Sequence, residues 1–332
     1  MAPVSGDERF RPKTASGLFR GLAGKVRAMK LHQAILVALL AALLGGGGAL
    51  EAQQRNITMK GSDTMVILGQ RWAEEYMKKN AGVTIQVTGG GSGTGIAALI
   101  NGTTDIAQSS RPMKESEKTS LKARRGLEVL ELAVAVDGLA VYVHESNPVD
   151  ALSLAQLRGI YTGAIRSWKD VGGGDERIIL YSRENNSGTY AYFKEHVLEN
   201  ADYHPTVQTL PGTAAVINAV AKDARGIGYG GIAYGKGIKP LKVKKEAGSP
   251  AIEPSMEEVL AERYPISRHL YWYFAGPPSG ERKAFARWAL SPEGQQVVEN
   301  VGYYPLSPKD REASQKKLGS AGFGTRPTGS SR

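Results

Sequence analysis

Three times in this chain a short strand-like run ends in a loop of glycine, serine and threonine and continues as a helix. Residues 56–60 lead into Gly61-Ser62-Asp63-Thr64, after which apolar positions recur at helical spacing over 66–79. Residues 83–87 alternate as a strand and lead into Gly89-Gly90-Gly91-Ser92-Gly93-Thr94-Gly95 and a helix over 96–101. Residues 177–181 lead into Arg183-Glu184-Asn185-Asn186-Ser187-Gly188-Thr189 and a helix over 190–198. Between the second and third units, 105–107 reads as a strand ending at Ser109-Ser110-Arg111-Pro112, and 114–125 as a polar helix. This alternation predicts an α/β fold with a largely parallel sheet. In such sheets ligands gather where strands end and helices begin.

The three loops carry one chemistry. A helix N-terminus presents unpaired N–H groups and the positive end of the helix dipole. Glycine lets an anion approach the backbone, and Ser and Thr add hydroxyl donors. Arg111 and Arg183 stand beside two of the loops, and a guanidinium can donate two parallel hydrogen bonds to a tetrahedral oxyanion. Each loop alone also fits a plain turn or helix cap, and each arginine a surface ion pair. The set together points to a small oxyanion.

Other chemistries fit less well. The P-loop spacing from Gly230 to Gly235-Lys236 is followed by Gly237 where Ser or Thr is needed. Gly93, Gly95 and Ala98 match only the loose dinucleotide pattern. The histidines, at 32, 144, 196, 204 and 269, show no metal-ligand spacing, and no G-x-S-x-G elbow is present. The chain lacks cysteine, which excludes disulfides, thiolate metal sites and a lipidated cysteine. The net charge of +10 comes from the ends: residues 1–52 and 308–332 carry +4 each, leaving +2 between them. Nucleic-acid binding is therefore not expected, and neither is a cofactor, a metal or an enzymatic activity.

Residues 31–44 hold an apolar core too short to span a bilayer comfortably, preceded by Lys30 and followed by small residues. This is a secretory signal pattern, with cleavage expected after Ala49 or Ala52. Met29-Lys30 would be a natural opening for it, so translation is expected to begin at Met29. The mature protein would then carry no lipid anchor and no membrane insertion, which suits a periplasm.

Taken as an ordered set, these motifs resemble the phosphate-binding proteins of phosphate-specific ABC transporters. Ile160-Tyr161-Thr162-Gly163 with Trp168, Gly226-Ile227-Gly228-Tyr229, Tyr264-Pro265-Ile266-Ser267-Arg268 and Leu290-Ser291-Pro292-Glu293-Gly294 extend the resemblance over about 56–307. It implies a two-lobed periplasmic-binding-protein fold of type II, with two crossover strands and the ligand cleft between lobes. The expected divisions are 1–52 as extension and signal, 53–137 plus 239–307 as lobe I, 138–238 as lobe II, and 308–332 as a flexible basic tail. The chain would cross first near Asp137-Gly138, where the apolar run 129–144 is split, and return near Lys239. The implied function is binding of inorganic phosphate and delivery to a permease driven by a cytoplasmic ATPase; the alternatives are a binding protein for another oxyanion such as sulfate or arsenate, an anion-sensing receptor or an exported phosphatase, and a monomer is expected. The implied site takes Ser62, Asp63, Thr64 and the Met65 amide from one loop, Ser92 from the next, and Ser110 and Arg111 from the third strand end. Arg183, Ser187, Gly188 and Thr189 close it from the other lobe. In the best-known members an aspartate stands where this chain has Ser110 and accepts the proton of the protonated anion. Asp63 is the nearest alternative acceptor here, and it reads equally well as a helix cap.

Overall fold

The computed structural model describes residues 55–320; the signal sequence, the start at Met29 and the last twelve residues lie outside the described residues. The elements run β1 (Arg55–Gly61), α1 (Val66–Lys79), β2 (Val83–Thr88), α2 (Ser92–Asn101), β3 (Ile106–Ser109), α3 (Glu115–Arg125) and β4 (Val129–Val143). They continue with β5 (Ala151–Ser153), α4 (Leu154–Thr162), β6 (Ile179–Arg183), α5 (Gly188–His196), β7 (Gln208–Leu210), α6 (Thr213–Val220), β8 (Gly226–Gly231) and β9 (Lys239–Lys244). The last are α7 (Met256–Leu260), β10 (Ser267–Ala275), α8 (Gly280–Ala289), α9 (Pro292–Val301) and α10 (Pro308–Ser320).

The helices follow from local chemistry. In α1 the residues Leu68, Trp72, Ala73 and Tyr76 share one face and are buried, while Lys78 and Lys79 sit at the negative end of the dipole. In α4, Ser153 and Gln156 form a reciprocal capping box, and in α9 Ser291 caps a helix that starts with Pro292.

The sheet order is β2-β1-β3-β10-β4-β8-β6-β7, with β9 pairing β4 and β5. β1, β2 and β3 are parallel, as are β6, β7 and β8. β10 and β4 are the antiparallel centre. β4 is one continuous strand of 15 residues. Val129–Gly138 pairs with β10, and from Leu139 onward the partners become β8 and β9. β4 therefore changes partners at 138/139. The return does not fall at Lys239, because β9 still pairs with the far half of β4 and with β5. Residues 245–266 carry the chain back, and β10 rejoins β3 and β4.

Each half has its own aromatic core. Trp72 meets Trp272 edge-on at 5.0 Å in one, and Phe193 stacks on Tyr229 at 3.9 Å in the other. The expectation of a structureless tail from residue 308 is corrected over 308–320. Ser307 caps α10 through the Asp310 N–H, Leu318 is buried, and the Ser314 hydroxyl donates to the Ala133 carbonyl of β4 at 2.9 Å. Gln315 adds a hydrogen bond to the Leu290 carbonyl at 2.9 Å, so a few inward positions dock a helix that is otherwise mostly polar.

Candidate functional site

The loop after β1 bends back against β3. Gly61 has φ +145°, and a Cβ there would lie 2.1 Å from the Gln108 carbonyl oxygen, so only glycine permits this approach. Ser62 is buried and its hydroxyl donates to Ser110 Oγ at 2.9 Å. Thr64 and Met65 are fully buried on the short 3-10 turn that follows. The second loop delivers Ser92 as the first residue of α2. Ser92 Oγ accepts the Ser110 N–H at 3.1 Å and lies 3.4 Å from Ser110 Oγ.

The second half closes on these groups. Ser187 caps α5 by accepting the N–H groups of Thr189 and Tyr190. Gly188 packs directly on Ser92 and Ser110: a Cβ at this position would lie 2.3 Å and 2.8 Å from their hydroxyl oxygens. Thr189 is central, with its hydroxyl 2.8 Å from Thr64 Oγ1 and 3.5 Å from Ser110 Oγ. Asn186 adds contacts along the rim, its carbonyl accepting the Gly93 N–H at 2.9 Å and its amide donating to the Gly90 carbonyl at 3.1 Å.

Two buried arginines flank the hydroxyls. Arg183, 1% exposed, donates to Asp63 Oδ2 at 2.5 Å and to Thr213 Oγ1 at 2.8 Å; its Nε is buried without a partner. Arg268 donates to Asp137 Oδ2 through Nε at 3.0 Å and Nη2 at 2.8 Å, and to Thr189 Oγ1 at 3.0 Å. Each arginine is thus offset by one aspartate, as burial of a charge requires. Asp63 is neither a side-chain cap nor a free acceptor. Its second oxygen takes the Gly90 N–H at 2.7 Å, so its carboxylate clasps the other half through Arg183. Tyr234 donates to the Asp63 carbonyl at 2.7 Å, and burial pushes its own phenol well above the usual range. Burial likewise pushes the Tyr229 phenol up to about 12, against the pull of its hydrogen bonds with Ser182 and Tyr203.

The outcome is a ring of hydroxyls and backbone N–H groups at the starts of α2, α5 and α6, with positive charge behind it. Such a ring donates hydrogen bonds to an oxyanion.

Comparison with known proteins gives the family and the fold. Residues 47–293 match the model of the PBP superfamily domain. The chain is 36% identical over 281 residues to the phosphate-binding protein PstS of Pseudomonas aeruginosa, covering 80% of this chain and 87% of that one. It is 31% identical over 297 residues to PstS of Staphylococcus saprophyticus, covering 86% and 92%. The chain belongs to the PstS-like family of phosphate-binding proteins. Solved relatives share its fold. A protein from Clostridium perfringens with bound phosphate has a TM-score of 0.69 at 30% identity, covering 76% of this chain and all of that one. An ABC-type phosphate transport receptor from Vibrio cholerae has a TM-score of 0.61 at 28% identity, covering 75% and all of it.

Of the sequence-predicted site residues, Ser62, Thr64, Ser92, Ser110, Gly188 and Thr189 meet directly, with Arg183, Asp63 and Ser187 around them. Met65 is buried immediately before α1. Arg111 does not join them. Its guanidinium forks onto Glu117 at 2.8 and 2.6 Å and also donates to the Pro112 carbonyl. Burial raises the Glu117 carboxyl, but its bonds from Arg111 and from the Lys114 N–H outweigh this and hold it below the usual range. Sequence reasoning placed Asp137 only at the hinge and did not foresee that Arg268 bonds to Thr189 or Thr213 to Arg183. The available signal was Asp137 itself, a charge inside an apolar strand run, which demands a buried cationic partner.

Proposed function

We propose that this protein binds inorganic phosphate between its two halves and hands it to the permease of an ABC-type importer without transforming it. The observation that carries the reading is the meeting of hydroxyls from both halves: Thr64 with Thr189 at 2.8 Å, and Ser110 with Ser62, Ser92 and Thr189 at 2.9 to 3.5 Å. Membership in a family of phosphate-binding proteins supports the choice of anion.

In this arrangement the hydroxyls donate to one another. A tetrahedral anion offers them better acceptors, since a hydrogen bond to a charged group is roughly twice as strong as one between neutral groups. Ser62, Thr64, Ser92 and Ser110 would grip from the first half, and Arg183, Gly188 and Thr189 from the second. Entry requires the halves to separate, breaking the Thr64–Thr189, Asp63–Arg183 and Asn186 contacts. The movement would bend the chain at 138/139 of β4 and within 245–266, the two connections between the halves. We place the protein in a periplasm, as a monomer released by signal cleavage, where it would serve a permease with a cytoplasmic ATPase.

Calorimetric titration with phosphate, arsenate and sulfate tests this. Phosphate and arsenate should bind, with sulfate weaker. No heat with phosphate would refute the reading, and turnover of a phosphomonoester would refute its non-enzymatic part.

A further inference from the structure

Arg268 stands apart from the groups above. It lies on β10, the strand that receives the chain on its return from the second half. Its side chain is 2% exposed and fixed on three sides. Asp137, itself fully buried, takes Nε and Nη2, and the second Asp137 oxygen is held by the Ile232 N–H at 3.0 Å. The Tyr192 ring lies beneath the guanidinium carbon at 5.2 Å. On the third side Nη2 reaches Thr189 Oγ1, the hydroxyl at the centre of the ring.

A structural partner for Asp137 would need no more than this. Yet Nη1, with two N–H groups, is buried and meets no acceptor. Leaving a buried donor unpaired costs about 1–3 kcal/mol, more when it is charged. Arg183, whose guanidinium reaches Thr213 Oγ1 and Asp63, likewise has a buried Nε without an acceptor. Two guanidinium groups that each keep one unpaired nitrogen therefore touch one set of hydroxyls, which fits a site shaped for an acceptor-rich ligand.

We infer that Arg268 is the second cation of the anion site and donates directly to a bound oxyanion beside Thr189. The inference rests on the oxyanion reading proposed above. Arg183 would then approach from β6 and Arg268 from β10, so the anion would be held between one strand of each half. Because β10 pairs with β4 up to Gly138, the residue at which β4 changes partners, Arg268 also ties occupancy of the site to the hinge.

Removing Arg268 alone would strand the buried Asp137 charge and could unfold the protein. The test therefore uses the double variant Asp137→Asn/Arg268→Gln, which removes both charges and keeps polar groups in place, together with Arg268→Lys. Phosphate affinity is measured by calorimetry and folding by thermal melting. With wild-type protein binding phosphate, a folded double variant should bind at least tenfold more weakly, and Arg268→Lys should recover only part of the loss. A folded double variant within threefold of wild type would overturn the inference. If the double variant does not fold, the wild-type crystal structure with phosphate decides. A guanidinium nitrogen of Arg268 within about 3.5 Å of a phosphate oxygen supports the inference, and a longer approach by every one of them overturns it. Wild-type protein that fails to bind phosphate would instead overturn the function proposed above.

Discussion

Gly188→Ala isolates closure from folding. Gly188 opens α5, and its backbone has no need of glycine there, because no positive φ is involved. What requires glycine is the opposite half. A Cβ would lie 2.3 Å from Ser92 Oγ, 2.8 Å from Ser110 Oγ and 2.9 Å from Ser92 Cβ. Rotating the Ser92 hydroxyl relieves the first contact but not the third, which involves the base of the side chain. The two faces must part by roughly 1 Å to restore ordinary contact. That separation stretches the Thr64–Thr189 bond from 2.8 Å and the Gly93–Asn186 bond from 2.9 Å beyond useful length. Two or three bonds at about 1 kcal/mol each amount to about 2–3 kcal/mol, or a 30- to 150-fold rise in the phosphate Kd. Alanine is a better helix former than glycine, and the clash exists only when the halves meet. The unliganded melting temperature should therefore change by no more than about 3 °C. Ligand stabilisation gives a second readout. At phosphate equal to 100 times the wild-type Kd, wild type gains about 2.7 kcal/mol and a 100-fold weaker variant about 0.4 kcal/mol. A Gly188→Ala protein that binds phosphate within threefold of wild type would refute the closed packing at this position.

Arg183→Ala should raise the phosphate Kd at least tenfold by calorimetry, since it removes a buried cation and frees the Asp63 clasp. Arg111→Ala should leave phosphate affinity within threefold of wild type, because that guanidinium is spent on Glu117 rather than on the hydroxyls. Its effect is on stability. The Glu117 carboxyl is held below its unfolded value, so the stabilisation is fully present above the unfolded pKa and is lost as pH falls through the folded one. Denaturant melts should thus show wild type ahead of Arg111→Ala at neutral pH and the gap closing in acid. Leu318→Ala should lower stability by about 2 kcal/mol in the same assay with phosphate binding unchanged, whereas an undocked C-terminal segment would show no loss.

The parts of this molecule that were legible in the sequence are those whose chemistry is local. A strand that stops at Gly-Ser-Asp-Thr or Gly-Gly-Gly-Ser-Gly-Thr-Gly announces its own helix start, and that local pattern puts the hydroxyls at 62, 64 and 92 beside one. What stayed hidden depends on partners far along the chain. Arg268 and Asp137 are 131 residues apart, and Arg183 and Asp63 are 120 apart. The pattern at Lys239–Lys244 shows a strand but not which half owns it, and pairing with β4 and β5 settles that. Arg111 was misplaced for the opposite reason. Its competitor, Glu117, is only six residues away on α3, and a carboxylate at N3 of a helix is an ordinary sight that gives no warning it will capture an arginine.

Asp63 shows why binding and closure are one event in this design. Read alone, it is a cap or an acceptor for the proton of the anion. In place, it holds Arg183 from across the interface, so the same guanidinium that would grip the anion also fastens the two halves. The hydroxyls repeat the arrangement: Thr64 and Thr189 each come from a different half and bond to each other. Thr64, Ser110, Thr189 and Arg183, which would donate to the ligand, are therefore also groups that hold the site shut. An anion that enters must replace bonds between the halves with stronger bonds to itself. In an open form those bonds would be broken and water would take their place. The free energy of gripping the ligand is then spent largely on keeping the halves together, and a permease that pries them apart releases both at once.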